Sequence, residues 1–363
     1  GVFACHDATA ELAARIGATL GLPHGDVATI ARCNDKLSCR DFLAANGYKS
    51  VDYRAVASPS EVAEAASALG GHVVVKPRSS TGSLGVKICR TPDEAVEWAY
   101  LLSAAGIDSL IVEAYLDGPQ FAVTMFDGMP LIVTQSHLAN GQIPLVTGTD
   151  IPANISGSER SAITEFARSI SSNIGCTRGP IFIELRRVQN QCHLIEINPR
   201  PAVHSPVHVA GATGINLYEL CLKFACGLPY SIDDEMARSQ PRAAALRFVI
   251  RDGISIQNLV GIKDAETTKN VESVFVFKSR LLRTGPASGS LDRVATVLAK
   301  AETVALAASS ADEAIRKIRV IPEGKVHRKL RRFRWRLARR YDRLKSRLMR
   351  VAGDRAPHRV NTT

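Results

Sequence analysis

The spacing of apolar positions along the chain predicts a mixed series of helices and strands. Apolar residues recur at helical spacing in segments 6–20, 61–69, 92–103, 158–174 and 217–228, and glycines close several of these segments. Short runs of β-branched and other apolar residues, bounded by turn residues, predict strands between them. Most of the chain should therefore alternate between helices and strands.

The most informative strands are two apolar runs, 180–185 and 192–197, which flank a short polar segment and predict an antiparallel hairpin. Glu184 interrupts the first run, Glu196 interrupts the second, and Asn198 follows. Carboxylates on apolar strands are costly to bury unless a cation meets them. Two carboxylates and an amide oxygen suit a hard cation such as Mg²⁺. An ordinary hairpin with two carboxylates at its rim is the alternative interpretation.

A second stretch places Lys76 at the end of an apolar strand, directly before the glycine-containing loop 78–85. Gly82 and Gly85 allow backbone N–H groups to approach a ligand closely, and Lys76 supplies a point charge suited to phosphate. The loop also contains four hydroxyl side chains, Ser79, Ser80, Thr81 and Ser83. No helix follows the glycines directly, which excludes a P-loop or Rossmann motif. A phosphate-binding loop and a flexible hairpin loop both remain open.

Two further charged residues lie beside predicted elements. Lys36 lies in the first turn of a helix that Asn34 is expected to cap, where a cation opposes the helix dipole unless it reaches an anion. Glu113 lies at the end of an apolar strand. Backbone N–H and C=O groups at such a position could form hydrogen bonds with the edge of an adenine ring, and the Glu113 carboxylate could accept a hydrogen bond from the adenine amino group. A surface lysine and an ordinary edge carboxylate are the alternatives.

The net charge of +11 is concentrated near the C-terminus. Segment 325–350 holds thirteen Lys and Arg residues against one Asp, so the remainder is close to neutral. Its apolar residues form a single helical stripe: Leu330, Phe333, Leu337, Tyr341, Leu344 and Leu348. We expect a basic amphipathic helix that contacts an anionic membrane surface, an acidic protein or nucleic acid, or else docks on its own protein. Residues 351–363 should be disordered.

The eight cysteines are scattered without a CxxC pair, which indicates reduced thiols and a cytoplasmic location. No run reaches the roughly 18 consecutive apolar residues that a membrane-spanning helix needs. Peripheral attachment to a membrane through 325–350 is a further hypothesis. The sequence begins within a pattern and without Met, so we expect it to be part of a longer protein.

Four stretches resemble the ATP-grasp superfamily in order and spacing: NDKLSCRDFLAANG, VVVKPRSSTGSLGV, IVEAYLDGPQF and IFIELRR…CHLIEINPRP. The resemblance implies an α+β fold in which two subdomains grip ATP between antiparallel sheets, after an α/β remnant at the N-terminus. It implies the following divisions: remnant 1–31, ATP-grasp domain 32–235 with a lid at about 70–114, small β-rich C-terminal subdomain 236–322, and tail 323–363.

The same resemblance implies roles for individual residues. Nucleotide-binding residues are expected at Lys36, Lys76, Ser80, Gly82, Ser83, Gly85, Glu113, Ala114, Leu116 and Gln120. Metal ligands are expected at Glu184, Glu196 and Asn198, with Mg²⁺ as the ion and Mn²⁺ as an alternative. Arg200 and Lys76 are expected to stabilise charge on the reacting groups, and His204 is expected to face the substrate. Gln120 departs from the pattern, because many relatives carry a Glu there that holds the ribose.

Within the superfamily, the INPRP motif and the region after residue 240 most resemble carboxylate–amine ligases of the L-amino-acid ligase type. This resemblance implies that ATP converts a carboxylate into an acyl phosphate, which an amine attacks to give an amide, ADP and phosphate. A biotin-carboxylase-like or purine-pathway-like enzyme is one alternative. A non-catalytic ATP-binding module tethered by its basic tail is another, and a homodimer is a further hypothesis.

Overall fold

The computed structural model describes residues 1–48, 50–202, 204–238, 242–251, 255–277 and 289–324. The predicted basic helix and the C-terminal tail, which occupy 325–363, lie outside these ranges, and so does part of the predicted C-terminal subdomain. Within the described ranges, no helix combines the length and apolar character needed to cross a membrane.

Helices and strands alternate along the described chain. The helices are α1 (Asp7–Thr19), α2 (Val27–Asn34), α3 (Lys36–Ala45), α4 (Val62–Ala68), α5 (Pro92–Ala104), α6 (Gly157–Ile174), α7 (Ser205–Thr213), α8 (Leu217–Cys226), α9 (Ile232–Arg238), α10 (Ile262–Glu266) and α11 (Val304–Lys317). The strands are β1 (Tyr53–Val56), β2 (Val73–Pro77), β3 (Lys87–Cys89), β4 (Leu110–Ala114), β5 (Gln120–Phe126), β6 (Met129–Leu138), β7 (Val146–Ile151), β8 (Pro180–Val188), β9 (Gln191–Asn198), β10 (Ala243–Ile250), β11 (Ile256–Val260), β12 (Val271–Val276), β13 (Arg293–Ala301) and β14 (Arg319–Pro322).

The smaller of two main sheets is antiparallel, with the strand order β1-β4-β2-β3. Helices α4 and α5 cover one face, where Val73, Val75 and Val112 pack against alanines of the helices. This sheet carries Lys76 near the end of β2 and Glu113 near the end of β4. Because β1 joins it, the sheet begins before residue 70, and the predicted lid boundary stays a prediction.

The larger sheet is also antiparallel, and its strand order is β12-β13-β10-β7-β6-β5-β8-β9. Strands β10, β12 and β13 come from the predicted C-terminal subdomain, but they extend the sheet that contains the hairpin. Helix α11 packs on β10 and β13 through alanines such as Ala307, Ala311 and Ala314. The C-terminal region is therefore continuous with the candidate site.

The predicted hairpin is confirmed as β8 and β9, joined by a two-residue turn. Both turn residues, Gln189 and Asn190, have positive φ angles, which matches the backbone twist that tight hairpins require. Side chains alternate along β8, so Ile183 and Leu185 are fully buried against α6 while Glu184 faces the opposite side. The alternation directs the charged residues toward the small sheet.

The start of α3 differs from the prediction that Asn34 caps this helix. Asn34 ends the unpredicted helix α2, and Asp35 is the N-cap. The Asp35 carboxylate accepts from the N–H groups of Leu37 and Ser38 at 3.0 and 3.3 Å. An ionised carboxylate complements the positive end of the helix better than an amide does. Lys36 remains in the first turn, as predicted.

We predict that Gly85→Ala destabilises the protein about 2 kcal/mol more than Gly70→Ala does. Both glycines have positive φ, 75° and 86°, so both substitutions strain the backbone. A Cβ at Gly85 would lie 2.8 Å from the Pro77 ring, whereas one at Gly70 would contact nothing within 4 Å. Urea denaturation of both variants measures the difference. Equal losses would contradict the tight packing at the base of the loop.

Candidate functional site

The two sheets face each other across a cleft, and most of the predicted site residues line it. The predicted nucleotide-binding residues on the cleft are Lys36, Lys76, Ser80, Ser83, Glu113, Ala114, Leu116 and Gln120, and the predicted metal ligands on it are Glu184 and Glu196. Gly82 and Gly85 shape the loop above, and Asn198 lies at the end of β9, directly beyond the cleft. The roles of these residues stay predictions, but the fold brings them together.

Glu184 and Glu196 lie directly opposite each other in the register of β8 and β9. Burial, followed by repulsion from Glu196, raises the pKa of Glu184 to about 7. Gln120 donates a hydrogen bond to Glu184 at 3.0 Å, and the Lys36 ammonium lies 3.5 Å from Glu196. These contacts leave the pair with excess negative charge, so its oxygen-rich surroundings fit a hard cation.

A bulge separates this pair from the rest of the hairpin. Glu184 pairs with Glu196 but Leu185 pairs with Leu194, so Ile195 is an extra residue on β9. The carbonyls of Leu194 and Ile195 accept from the Arg40 guanidinium at 3.1 and 2.8 Å. The bulge thereby connects the hairpin to a buried charge cluster.

That cluster consists of Arg40, Lys76 and Glu113, whose side chains are at most 5% exposed. Glu113 lies 2.6 Å from the Lys76 ammonium and 3.1 Å from the Arg40 guanidinium. Burial opposes the ionisation of Glu113, but the two cations hold its pKa below the usual value. The Glu113 carboxylate therefore forms ion pairs with two cations of the protein. Its contact with an adenine amino group stays a prediction.

The glycine-containing loop is anchored on three sides. The Ser80 carbonyl accepts from Lys36 at 3.0 Å, and Ser83 donates to the Pro144 carbonyl at 3.1 Å. The Gly82 carbonyl accepts from the backbone N–H of Ser290 at 3.0 Å. Residues before β13 therefore hold the loop over the cleft.

Arg200 makes a contact that sequence reasoning missed. Its guanidinium donates two hydrogen bonds to the Asp7 carboxylate, both at 2.5 Å, and a third to the Asn198 side-chain oxygen at 3.2 Å. Burial opposes the ionisation of Asp7, but Arg200 and a hydrogen bond with Thr81 lower its pKa. Helix α1 thus reaches the site through its first residue. Nothing in the local pattern of segment 6–20 indicated this long-range pair.

Arg186 and Arg293 were also missed. Arg186 lines the cleft, donates to the Leu116 carbonyl and lies 5.3 Å from the Tyr115 ring. It follows Glu184 by two residues on one strand, and this spacing could have identified it. Arg293 lies 3.4 Å from His204, measured between side-chain nitrogens. Burial and the Arg293 charge lower the pKa of His204 to about 4, so His204 is neutral at physiological pH.

The fold, with two antiparallel sheets facing a charged cleft, agrees with the comparison to known families. Residues 69–205 match the ATP-grasp domain, so the chain contains an ATP-grasp domain. The matched region runs from the residue after α4 to the first residue of α7, four residues past the INPRP motif, and includes the predicted site residues except Lys36. The expected α+β fold with antiparallel sheets is confirmed.

Individual relatives place the chain among longer proteins. The uncharacterized protein y4rH of Sinorhizobium fredii is 27% identical over 314 residues, which cover 84% of this chain and 63% of that protein. A D-alanine--D-alanine ligase of Acidovorax ebreus is 26% identical over 223 residues, which cover 56% of this chain and 66% of that enzyme. The chain therefore spans slightly less than two thirds of the length of these curated relatives.

One solved structure shows how far the fold likeness extends. The L-amino acid ligase from Bacillus licheniformis has a TM-score of 0.77 and 20% sequence identity. The likeness covers 89% of this chain and 81% of that enzyme. At this identity the comparison establishes the fold, and it includes the C-terminal strands as well as the ATP-grasp domain.

We predict that Glu113→Gln lowers the free energy of unfolding by about 3–5 kcal/mol at neutral pH, because it leaves two buried cations without their carboxylate. The pKa of Glu113 lies below 4.5 in the folded protein, so the stabilisation is present above pH 4.5 and is lost as the pH falls through the folded value. The difference from wild type should therefore shrink in acid.

Urea denaturation at pH 7 and at successively lower pH measures this effect. Glu97→Gln on the exposed face of α5 is the matched control, with an expected change within about 0.5 kcal/mol. A decrease in the free energy of unfolding below about 1 kcal/mol for Glu113→Gln at pH 7, or a decrease independent of pH, would contradict a stabilising role for this charge cluster.

Proposed function

We propose that this protein is an ATP-dependent ligase that activates a carboxylate as an acyl phosphate and couples it to an amine, such as an amino acid, with release of ADP and phosphate. The observation that carries the proposal is the pair Glu184 and Glu196, fixed opposite each other on the cleft of an ATP-grasp domain, with Asn198 two residues further on. The D-alanine--D-alanine ligases among the relatives support this reaction class over carboxylases and purine-pathway enzymes.

In this proposal, the cleft binds ATP with its phosphates toward the hairpin. Lys36 and Lys76 contact the phosphates, and the loop from Ser80 to Gly85 covers them. Ala114 and Leu116 line the adenine, and Gln120 lies at the ribose. Because Gln120 already donates to Glu184, it also orients that carboxylate. This second task accounts for an amide at a position where many related enzymes carry Glu.

Glu184, Glu196 and Asn198 would hold Mg²⁺, with Mn²⁺ as an alternative. The donor set fits, because two carboxylates and an amide oxygen are hard ligands, and burial together with repulsion from Glu196 raises the pKa of Glu184, which a bound cation would offset. When bound, the ion would neutralise phosphate charge and hold the reacting oxygens in place. Within the described residues, no third His, Cys, Asp or Glu completes a metal cluster, so the remaining ligands would come from phosphate and water.

The reaction then needs positioning and charge stabilisation rather than a protein nucleophile. A carboxylate oxygen of the substrate attacks the γ-phosphorus and ADP leaves. The amine next attacks the acyl carbon, and phosphate departs with that oxygen. Lys76 and Arg200 stabilise the negative charge that develops. The loop held by Ser290 excludes water, which would hydrolyse the acyl phosphate.

We predict that the complete protein, given Mg²⁺, ATP and a pool of amino acids, releases ADP in an amino-acid-dependent way. Glu196→Gln should reduce this rate more than 100-fold, because even the outer partners of metal ligands typically contribute about 10–100-fold. A coupled ADP assay measures the rate, and Glu97→Gln serves as the control. ATP binding without turnover on any pool would contradict the ligase and favour a non-catalytic ATP-binding module.

The remaining proposals concern segments and contacts outside this cleft. The basic segment 325–350 is proposed to contact an anionic membrane surface, an acidic protein or nucleic acid, on the strength of its charge and apolar stripe alone. A cytoplasmic location and a homodimer likewise rest on the sequence.

A further inference from the structure

Arg293 begins strand β13 at the edge of the candidate site. The three residues before it, Ser290–Asp292, form a short helical turn whose first N–H binds the Gly82 carbonyl of the loop. Its guanidinium is also close enough to Glu184 for that carboxylate to influence its ionisation. Arg293 therefore lies between the loop, the carboxylate pair and the C-terminal strands.

Among the described residues, the groups in direct contact with this guanidinium are apolar or uncharged. Its central carbon lies 4.1 Å from the ring centroid of Phe248, and one terminal nitrogen donates to the Val146 carbonyl at 3.1 Å. The other terminal nitrogen faces His204, which is uncharged. The Nε–H is buried and has no acceptor among the described residues. Phe277, whose ring centroid is 6.1 Å from that of His204, adds an aromatic wall.

Arg293 makes no ion pair with any described residue. Burial lowers its pKa to about 10, which still leaves it cationic at neutral pH. Four other buried or half-buried arginines each contact a carboxylate: Arg40, Arg200, Arg247 and Arg251. The buried Arg186 also has no ion pair among the described residues, but it lines the cleft where ATP is proposed to bind and donates to the Leu116 carbonyl. A buried cation without an anion is costly. An anion from outside the protein would offset that cost.

The chemistry of the surroundings favours an organic carboxylate over phosphate. Lys36 and Lys76 lie on the cleft itself, where the ATP phosphates are proposed to bind. Arg293 instead presents a planar guanidinium beside aromatic rings, which suits a flat carboxylate attached to an apolar group. Arg200 lies beside Asn198 and is proposed to stabilise the reacting carboxylate. Arg293 is thus available for a carboxylate that does not react.

We propose that Arg293 binds the unreactive carboxylate of the amine substrate and makes the enzyme select amino acids as amines. This inference rests on the proposed ligase function. When two amino acids join, the carboxylate of the first becomes part of the amide. The carboxylate of the second, which supplies the amine, stays unchanged in the product and requires a cationic contact throughout the reaction. Phe248 and Phe277 then contact the apolar part of this substrate.

The test compares each productive amine substrate as a free amino acid and as its C-terminal amide, in the complete protein. In the wild type, the amide should have a KM at least 10-fold higher. Arg293→Met should raise the KM of the free amino acid about 10–100-fold, leave that of the amide within threefold and leave the KM for ATP unchanged. Arg293→Lys should retain part of the discrimination, and the exposed Arg316→Met should behave as wild type.

A binding readout separates this inference from the ligase proposal. Saturation-transfer NMR with pooled amino acids and pooled amino-acid amides should show binding of the acids to wild type and Arg316→Met, and weaker binding of the acids to Arg293→Met, in which only the position for the reacting carboxylate remains. If the protein releases no ADP but shows this pattern of amino-acid binding, the proposed ligase function is overturned and the role of Arg293 in binding is retained. An unchanged KM ratio, or equal binding of acids by Arg293→Met and wild type, overturns the role of Arg293.

Thermal unfolding distinguishes a binding residue from a structural one. Removal of a buried, unpaired cation should leave the Tm of Arg293→Met equal to or above that of wild type in the absence of substrate. A Tm several degrees lower, with amide and acid substrates impaired alike, would show that Arg293 acts through packing and would overturn the proposal.

Discussion

The structure depends on one unfavourable interaction, the repulsion between Glu184 and Glu196. Antiparallel register places these carboxylates opposite each other, and strand alternation directs them away from the hydrophobic core. Burial of Glu184, followed by the repulsion from Glu196, raises the pKa of Glu184 to about 7. The cations around the cleft are arranged about this charge, and several are already neutralised by the protein.

Most of the cations around the cleft form ion pairs with carboxylates of the protein. Glu113 contacts both Lys76 and Arg40, which leaves one net positive charge in that cluster, and Asp7 neutralises Arg200. A polyanionic ligand such as ATP must therefore share these cations with protein carboxylates. Arg293 has no carboxylate partner among the described residues, as is also true of Arg186, but Arg293 does not line the cleft and lies against the Phe248 ring. The pattern of charges thus separates the region proposed to bind phosphate from the region proposed to bind an organic carboxylate.

Local patterns predicted much of this arrangement. The hairpin, the loop after Lys76 and the alternation at Glu184 follow from periodicity of two and from turn residues, which depend on neighbours in sequence. Asp7, Arg40 and Arg293 were not predictable in this way, because their partners lie far away along the chain. The N-cap was assigned to Asn34 instead of Asp35, since adjacent residues with similar capping propensity are separated only by the end of α2.

The central claim is that a substrate carboxylate accepts the γ-phosphoryl group on this cleft. The most direct measurement supplies the complete protein with Mg²⁺, ATP and amino acids labelled with ¹⁸O in their carboxylates, followed by mass spectrometry of the phosphate released. The account predicts one ¹⁸O atom in each phosphate formed from a labelled carboxylate, together with ADP. Unlabelled phosphate, or AMP and pyrophosphate as products, would contradict the acyl phosphate route.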